Sequence, residues 1–197
     1  MSRVIAIEHV TLDGVMQAPA RPDEDTRDGF DLGGWAIPGI DPALQKFIGE
    51  RMGAAWSLIA GRRTYEDFYS VWPKRAPNPM AEALNRVEKF VASTRLTDPL
   101  PWQNSKLLHG DAAEAVAALK KQHNQSFIIF GSGVLLQSLI RRGLIDELIL
   151  QIHPVVLGKG RRLFQDGLPL TRFRLAASLT TATGVIAASY ELAERNH

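Results

Sequence analysis

Apolar and polar positions along the chain alternate between two periods. Residues 4–10 alternate as a strand and run into Thr11-Leu-Asp-Gly14, a turn signal. Asp41-Pro42 opens a helix, with Asp as the cap and Pro at the first helical position. Its apolar face is Leu44, Phe47, Ile48 and Met52. Residues 54–60 read as a buried strand that leads directly into Gly61-Arg-Arg-Thr64. The following helix presents Tyr65, Phe68, Tyr69 and Trp72 before Pro73 stops it. A helix over 80–87, a strand over 89–93 and a short strand over 105–108 come next. Asp111 then caps a helix faced by Ala112, Val116 and Leu119.

Phe127-Ile-Ile-Phe130 is a short run with no charge, the mark of a fully buried strand. Gly131-Ser-Gly133 follows it, and then Val134, Leu135, Leu136, Leu139 and Ile140 recur at helical spacing. Arg141-Arg-Gly143 ends that helix with cations and a glycine, where a helix C-terminus favours them. Residues 145–156 read as a long strand with Leu148, Leu150 and Ile152 on one face. Two last runs, 173–181 and 185–192, are separated by Thr183-Gly184 and form an antiparallel hairpin. Strands that alternate with helices and then give way to a hairpin describe an α/β protein. The expected fold is three-layer α/β/α, with a mostly parallel sheet and antiparallel C-terminal strands.

In such sheets ligands bind beyond the C-terminal ends of the strands. Three strand ends here carry groups suited to phosphate: Gly61-Arg-Arg-Thr64, Ser93-Thr-Arg95 and Gly131-Ser-Gly133. Gly131 and Gly133 have no Cβ, so the turn can approach a ligand closely. The N–H groups of the helix that follows lack intrahelical partners and favour an anion. Three such ends in one sheet favour a dinucleotide over a lone phosphate. No G-x-G-x-x-G follows the first strand, which excludes the Rossmann fingerprint. The Gly- and Pro-rich segment over 15–42 is long for a connection in a compact domain. It is either a surface loop anchored by Phe30 and Trp35 or a loop that covers a ligand site.

Composition narrows the class. A chain of 197 residues buries a sizeable core without staples, and one domain over 1–197 is expected. The net charge is only +2 and no long basic run exists, which argues against a nucleic-acid partner. The absence of cysteine removes disulfides, Cys-based zinc sites and thiol nucleophiles, and no metal site is expected. No signal-peptide pattern and no apolar run of membrane-spanning length is present, so a cytoplasmic protein without a membrane partner is expected.

These pieces, in this order, resemble the dihydrofolate-reductase-like superfamily. The resemblance is nearest to the reductase, C-terminal domain of the bifunctional riboflavin-biosynthesis deaminase/reductase. It rests on Thr11-Leu-Asp-Gly14, Gly34-Trp35, Leu58-Ile-Ala-Gly-Arg-Arg-Thr-Tyr65, Trp72-Pro73 and Val91-Ala-Ser93. It continues through Phe130-Gly-Ser-Gly133, Leu144-Ile-Asp-Glu-Leu148 and Pro154-Val-Val-Leu-Gly158, and so covers nearly the whole chain. The resemblance implies NADPH as cofactor. It implies that Gly61, Arg62, Arg63 and Thr64, with Ser93, Thr94 and Arg95, surround the adenosine phosphates. It implies that Gly131, Ser132, Gly133, Val134 and Leu135 hold the pyrophosphate. Dihydrofolate reductases proper carry a carboxylate in the first helix, and the position near Leu44 or Gln45 has none.

The expected activity is an NADPH-dependent reduction of a small heterocycle, resembling that of 5-amino-6-(5-phosphoribosylamino)uracil reductase. A non-catalytic NADPH-binding protein, or a dihydrofolate reductase with a non-standard proton donor, are the alternatives. Asp13 is the best-placed carboxylate for a proton or substrate role, or else a turn former with Gly14. Asp13, Gly14, Trp35, Tyr65 and Phe68 are the candidate substrate residues. Relatives in the riboflavin branch are dimers, which implies a homodimer on the late strands, with Ile149 and Val155 available to the contact.

Overall fold

The computed structural model describes residues 2–193, so the ends of the 1–197 span lie outside the described residues. Six parallel strands form the body of an eight-stranded sheet. They are β1 (Val4–Thr11), β2 (Trp56–Gly61), β3 (Lys89–Ala92), β4 (Ser105–Leu108), β5 (Ser126–Phe130) and β6 (Glu147–His153). The hairpin β7 (Phe173–Thr180) and β8 (Ile186–Leu192) completes the order β4-β3-β2-β5-β1-β6-β8-β7. Among the described residues β8 alone runs against the others, pairing antiparallel with both β6 and β7. The long strand expected over 145–156 is shorter at both ends. Asp146 leaves the ladder to hold the backbone N–H of Val4, and Val155 turns back to bond the His153 carbonyl.

Five helices cover the two faces: α1 (Pro42–Met52), α2 (Arg62–Val71), α3 (Pro79–Arg86), α4 (Ala112–Gln122) and α5 (Gly133–Arg141). Alternation along β1 divides the core. Val4, Ala6 and Val10 pack with α4 and α5, while Ile5 and Ile7 pack with Phe47, Ile48 and Met52 of α1. On the second face Leu58 and Ala60 of β2 meet Tyr65 of α2 and Leu84 of α3. Asp41 and Asp111 cap their helices as expected, each accepting from N–H groups of the first turn. Pro73 does not stop the helix outright, since Trp72–Lys74 adds a 3-10 turn to α2.

Tyr65 is a correction. It was expected on a substrate wall, but it is 1% exposed and its hydroxyl accepts the backbone N–H of Trp102 at 3.0 Å. Its ring packs against Trp102 beneath α2, so it belongs to the core. Trp35 is a second. Its indole N–H donates to the Gln17 carbonyl at 2.7 Å, and its ring closes a small cluster with Val15, Ala18 and Phe30. That cluster gives the loop between β1 and α1 a core of its own.

Asp13 and Gly14 are a third, because neither lines the main cavity. The Asp13 carboxylate accepts from the Thr11 hydroxyl at 2.6 Å and from the backbone N–H groups of Leu157 and Gly158 at 3.2 and 2.9 Å. It ties the turn after β1 to the loop after β6. Gly14 takes φ +81° and its carbonyl accepts from Leu163, which completes the same junction. The Thr11 hydroxyl, with those backbone N–H groups, holds the Asp13 carboxyl down at about 2.

A depressed carboxyl stabilises the fold above its unfolded value and loses that contribution as pH falls through its folded value. Asp13→Asn is therefore expected to melt below the parent protein at neutral pH. The gap should close between the ordinary value near 3.8 and about 2. Melting curves across that range check it, and a gap that does not change with pH would show that the charge is not what holds the junction.

Candidate active site

The C-terminal ends of five neighbouring strands open onto one cavity of about 1090 Å³. Its lining takes Ile7, Glu8 and His9 from β1, Gly61 from β2, Ala92 from β3, Leu108 from β4 and Phe130 from β5. This is the position that the parallel topology dictates. The loop after β1 crosses it with Met16, Gln17, Ala18, Pro19, Ala20 and Arg21. The loop has the anchor expected of it at Phe30 and Trp35, and its residues 16–21 also line the cavity.

Two strand–helix junctions form the floor, and they hold each other. The backbone N–H of Gly61 donates to Ser132 Oγ at 3.0 Å, and the backbone N–H of Ser132 donates to Thr64 Oγ1 at 3.2 Å. Gly131 and Ser132 both take left-handed backbone, at φ 57° and 58°. That conformation costs little at glycine and is uncommon at serine. Gly133 is needed for a different reason: a Cβ there would stand 2.5 Å from Met16 Sδ. The close approach that glycine permits is thus made by the covering loop. Val134 is 74% exposed at the start of α5, and Leu135 is buried against the core while still lining the cavity.

The expected phosphate groups come together. Arg62, Arg63 and Thr64 of α2 face the same cavity as Ser93, Thr94 and Arg95 and the α5 N-terminus. Arg62 is held by Glu66 at 2.7 Å, while Arg63 and Arg95 are exposed and make no ion pair among the described residues. The Ser93 hydroxyl accepts the N–H groups of Arg95 and Leu96, both at 3.0 Å, which shapes the turn that presents Arg95. Backbone donors at a helix N-terminus, two uncommitted guanidinium groups and hydroxyls fit a nucleotide's phosphates. NADPH is held by such a donor set, and these residues fit it.

Three aromatic side chains, Phe68, Trp72 and Phe130, form one wall of the cavity. Phe68, the one aromatic substrate candidate that reaches it, lies 6.3 Å from Phe130 and 6.0 Å from Trp72, centroid to centroid. The helix α1 contributes nothing to the lining, so neither Leu44 nor Gln45 reaches the cavity.

Three polar side chains here carried no expectation. Glu8 is 2% exposed, and its Oε1 has no hydrogen-bond partner. Burial pushes its carboxyl well above the usual range, and the backbone N–H of Gly131 offsets only part of this. His9 is half-buried, and its Nδ1 lies 2.9 Å from Nε2 of the buried His153. Burial lowers His9 to about 3, helped by the neighbouring imidazole, and lowers His153 to about 4. Both rings are therefore neutral near pH 7. The signal available in the sequence was the adjacent Glu8-His9 pair inside an otherwise apolar strand.

Comparison with known proteins agrees with the geometry. The Bacillus subtilis (strain 168) protein YyaP, uncharacterised in function, is 28% identical over 174 residues, covering 84% of this chain and 89% of YyaP. A putative riboflavin biosynthesis protein from Shewanella sp. PV-4 superposes with a TM-score of 0.67 at 22% identity, covering 98% of this chain and 100% of that one. A pyrimidine reductase-like protein from Corynebacterium diphtheriae gives 0.64 at 14% identity, covering 98% and 92%. Dihydrofolate reductase from Enterococcus faecalis, complexed with NADP(H) and RAB-propyl, gives 0.61 at 17% identity, covering 99% and 97%. The fold is thus dihydrofolate-reductase-like. The RibD C-terminal domain family matches residues 3–187, nearly the whole sheet and every group in the cavity, and the chain belongs to that family.

Proposed function

We propose that this protein is an NADPH-dependent reductase of a small heterocyclic substrate. The observation that carries the reading is the continuity of one cavity, from the uncommitted cations beside α2 and β3 to the aromatic wall of Phe68 and Phe130. A dinucleotide's phosphates match the first part, and two stacked rings match the second. Family membership supports a reductase, and the NADP(H) bound by the Enterococcus faecalis enzyme of the same fold supports the cofactor. When bound, the dihydronicotinamide supplies the hydride. The chain's own groups then have three tasks. With the cofactor bound, Arg63 and Arg95 would neutralise its phosphates, Ser132 with Thr64 would fix the glycine turn beside them, and Met16 with Phe68 would keep water from the rings. The riboflavin-type ribosylaminopyrimidine is the substrate class we favour, on the family resemblance.

Fluorescence titration tests the cofactor. NADPH is expected to bind at least several-fold more tightly than NADH, because the guanidinium groups meet the 2′-phosphate. Arg62 is already engaged by Glu66, so the double substitution Arg63→Gln, Arg95→Gln should erase most of the preference. Equal affinity for the two cofactors in the parent protein would sink the reading. With dihydrofolate, turnover is expected far below the roughly 10 per second of an ordinary enzyme, since α1 brings no carboxylate to the cavity.

We also infer a two-fold homodimer, with one change to its expected contact. Ile149 is 0% exposed inside the sheet and takes no part. The apolar groups left at the open edge are Leu175 on β7, 51% exposed, and Leu170 just before it, 82% exposed. Light scattering coupled to size exclusion should give twice the 21.7 kDa of one chain, and the mass of one chain at micromolar concentration would exclude a stable dimer.

A further inference from the structure

A reduction of a C=N bond adds a hydride to carbon and a proton to nitrogen. The dihydronicotinamide accounts for the hydride and leaves the proton without a source. Alternation along β1 selects which polar group meets the substrate. Glu8 shares the face of Ala6 and Val10 with α5, whereas His9 shares that of Ile5 and Ile7. Ile7 stands opposite Phe130 in register, and Phe130 stacks near Phe68. His9 lies one pleat further toward the cavity on that same face. It is the polar group that β1 presents beside the aromatic wall.

The contact between His9 Nδ1 and His153 Nε2 requires one nitrogen to carry hydrogen and the other a lone pair. Two arrangements satisfy it. In one, His153 donates and His9 carries its hydrogen on Nε2, facing outward. In the other, His9 donates through Nδ1 and its Nε2 is bare. Moving between them takes a proton in at one end of the pair and releases one at the other. No charged side chain among the described residues pairs with either ring, so both arrangements are neutral. The rest of the setting holds the second ring in place. Trp35 meets His153 edge-on at 5.3 Å and 88°, and a Cβ on Gly39 would stand 2.6 Å from His153 Nδ1. Glycine at position 39 therefore keeps a side chain off that outer nitrogen, in a ring that is 2% exposed.

We propose that His9 is the catalytic residue that protonates the heterocycle, and that His153 is the positioning residue that resupplies it through the Nδ1···Nε2 contact. This rests on the reductase reading above. The substrate carbon gains the hydride with both its electrons, and the π pair of the C=N bond moves to nitrogen. That nitrogen takes the hydrogen of His9 Nε2 as a proton. His9 Nδ1 then takes the proton of His153 Nε2, and His153 Nδ1 takes one from water. Both rings end neutral with their tautomers exchanged. The reverse passage, water to His9 and His153 to water, resets them after product leaves. The pair delivers a proton at neutral pH without ever storing an imidazolium.

Nitrogen NMR on protein labelled at histidine tests this without a substrate. Between about pH 5 and pH 8 both rings should stay neutral, with each contact nitrogen averaged between protonated and bare positions. In His153→Gln, His9 should settle into one fixed tautomer. Fixed tautomers in the parent protein, or a ring that titrates in that window, overturn the proposal. The kinetic arm uses NADPH with 5-amino-6-ribosylaminouracil as probe. His9→Gln and His153→Gln should keep NADPH affinity and lose turnover by about a hundredfold, the scale of general acid catalysis. A His9→Gln protein that turns over as fast as the parent also overturns it. Loss of NADPH binding in the parent protein would instead count against the reductase reading, and fluorescence reads it separately.

Discussion

Two hydrogen bonds between the β2–α2 and β5–α5 junctions hold the site together. Gly61 donates to Ser132 Oγ, and Ser132 donates to Thr64 Oγ1. A strand that ends at a helix leaves backbone N–H groups without ladder or helix partners, and each needs one. Here each junction satisfies the other. Two segments about 70 residues apart along the chain are thereby fixed in mutual position. A partly buried hydrogen bond of this kind contributes about 1 kcal/mol to stability. Its larger effect is geometric, because the cavity floor is the pair of junctions. Left-handed backbone at Gly131 and Ser132 is maintained by the same two bonds.

The chemistry of the cavity divides by strand parity. Residues of β1 that alternate toward α1 and toward α4–α5 deliver two different ionisable groups to one opening. Glu8 meets the glycine turn on one side, and His9 meets His153 on the other. Burial shifts both, and it acts in opposite directions on acid and base, raising Glu8 and lowering His9. The uncommitted cations of the cavity, Arg63 and Arg95, stand exposed at the ends of β2 and β3.

Local features were legible and distant ones were not. The strand–glycine–helix junctions at Gly61 and Gly131, the caps at Asp41 and Asp111, and the closing hairpin all follow from neighbours a few residues apart. The convergence of residues 61–64, 93–95 and 131–133 on one cavity was legible because they sit at the ends of those same elements. Tyr65 and Phe68 are three residues apart on one helix, and nothing in their spacing says which meets Trp102 and which meets Phe130. That follows from the order of strands beneath them. Asp13 looked available because its partners, Leu157 and Gly158, come from the far end of the chain. His9 and His153 are 144 residues apart, and only the parallel pairing of β1 with β6 brings them together.

Arg21 reaches from the loop after β1 to Asp67 on α2, while Met16 of the same loop rests over Gly133. Arg21, Asp67 and Met16 all line the cavity, so the span crosses part of it. The side chains of the ion pair are 33% and 21% exposed, and partly exposed pairs of this type contribute about 0–1 kcal/mol. Thermal motion suffices to part a pair of that strength. Salt weakens the pair further by screening. Traffic through the mouth, the rates of arrival and departure, is therefore where ionic strength acts on this loop. The equilibrium hold on a seated ligand depends instead on the floor and the walls.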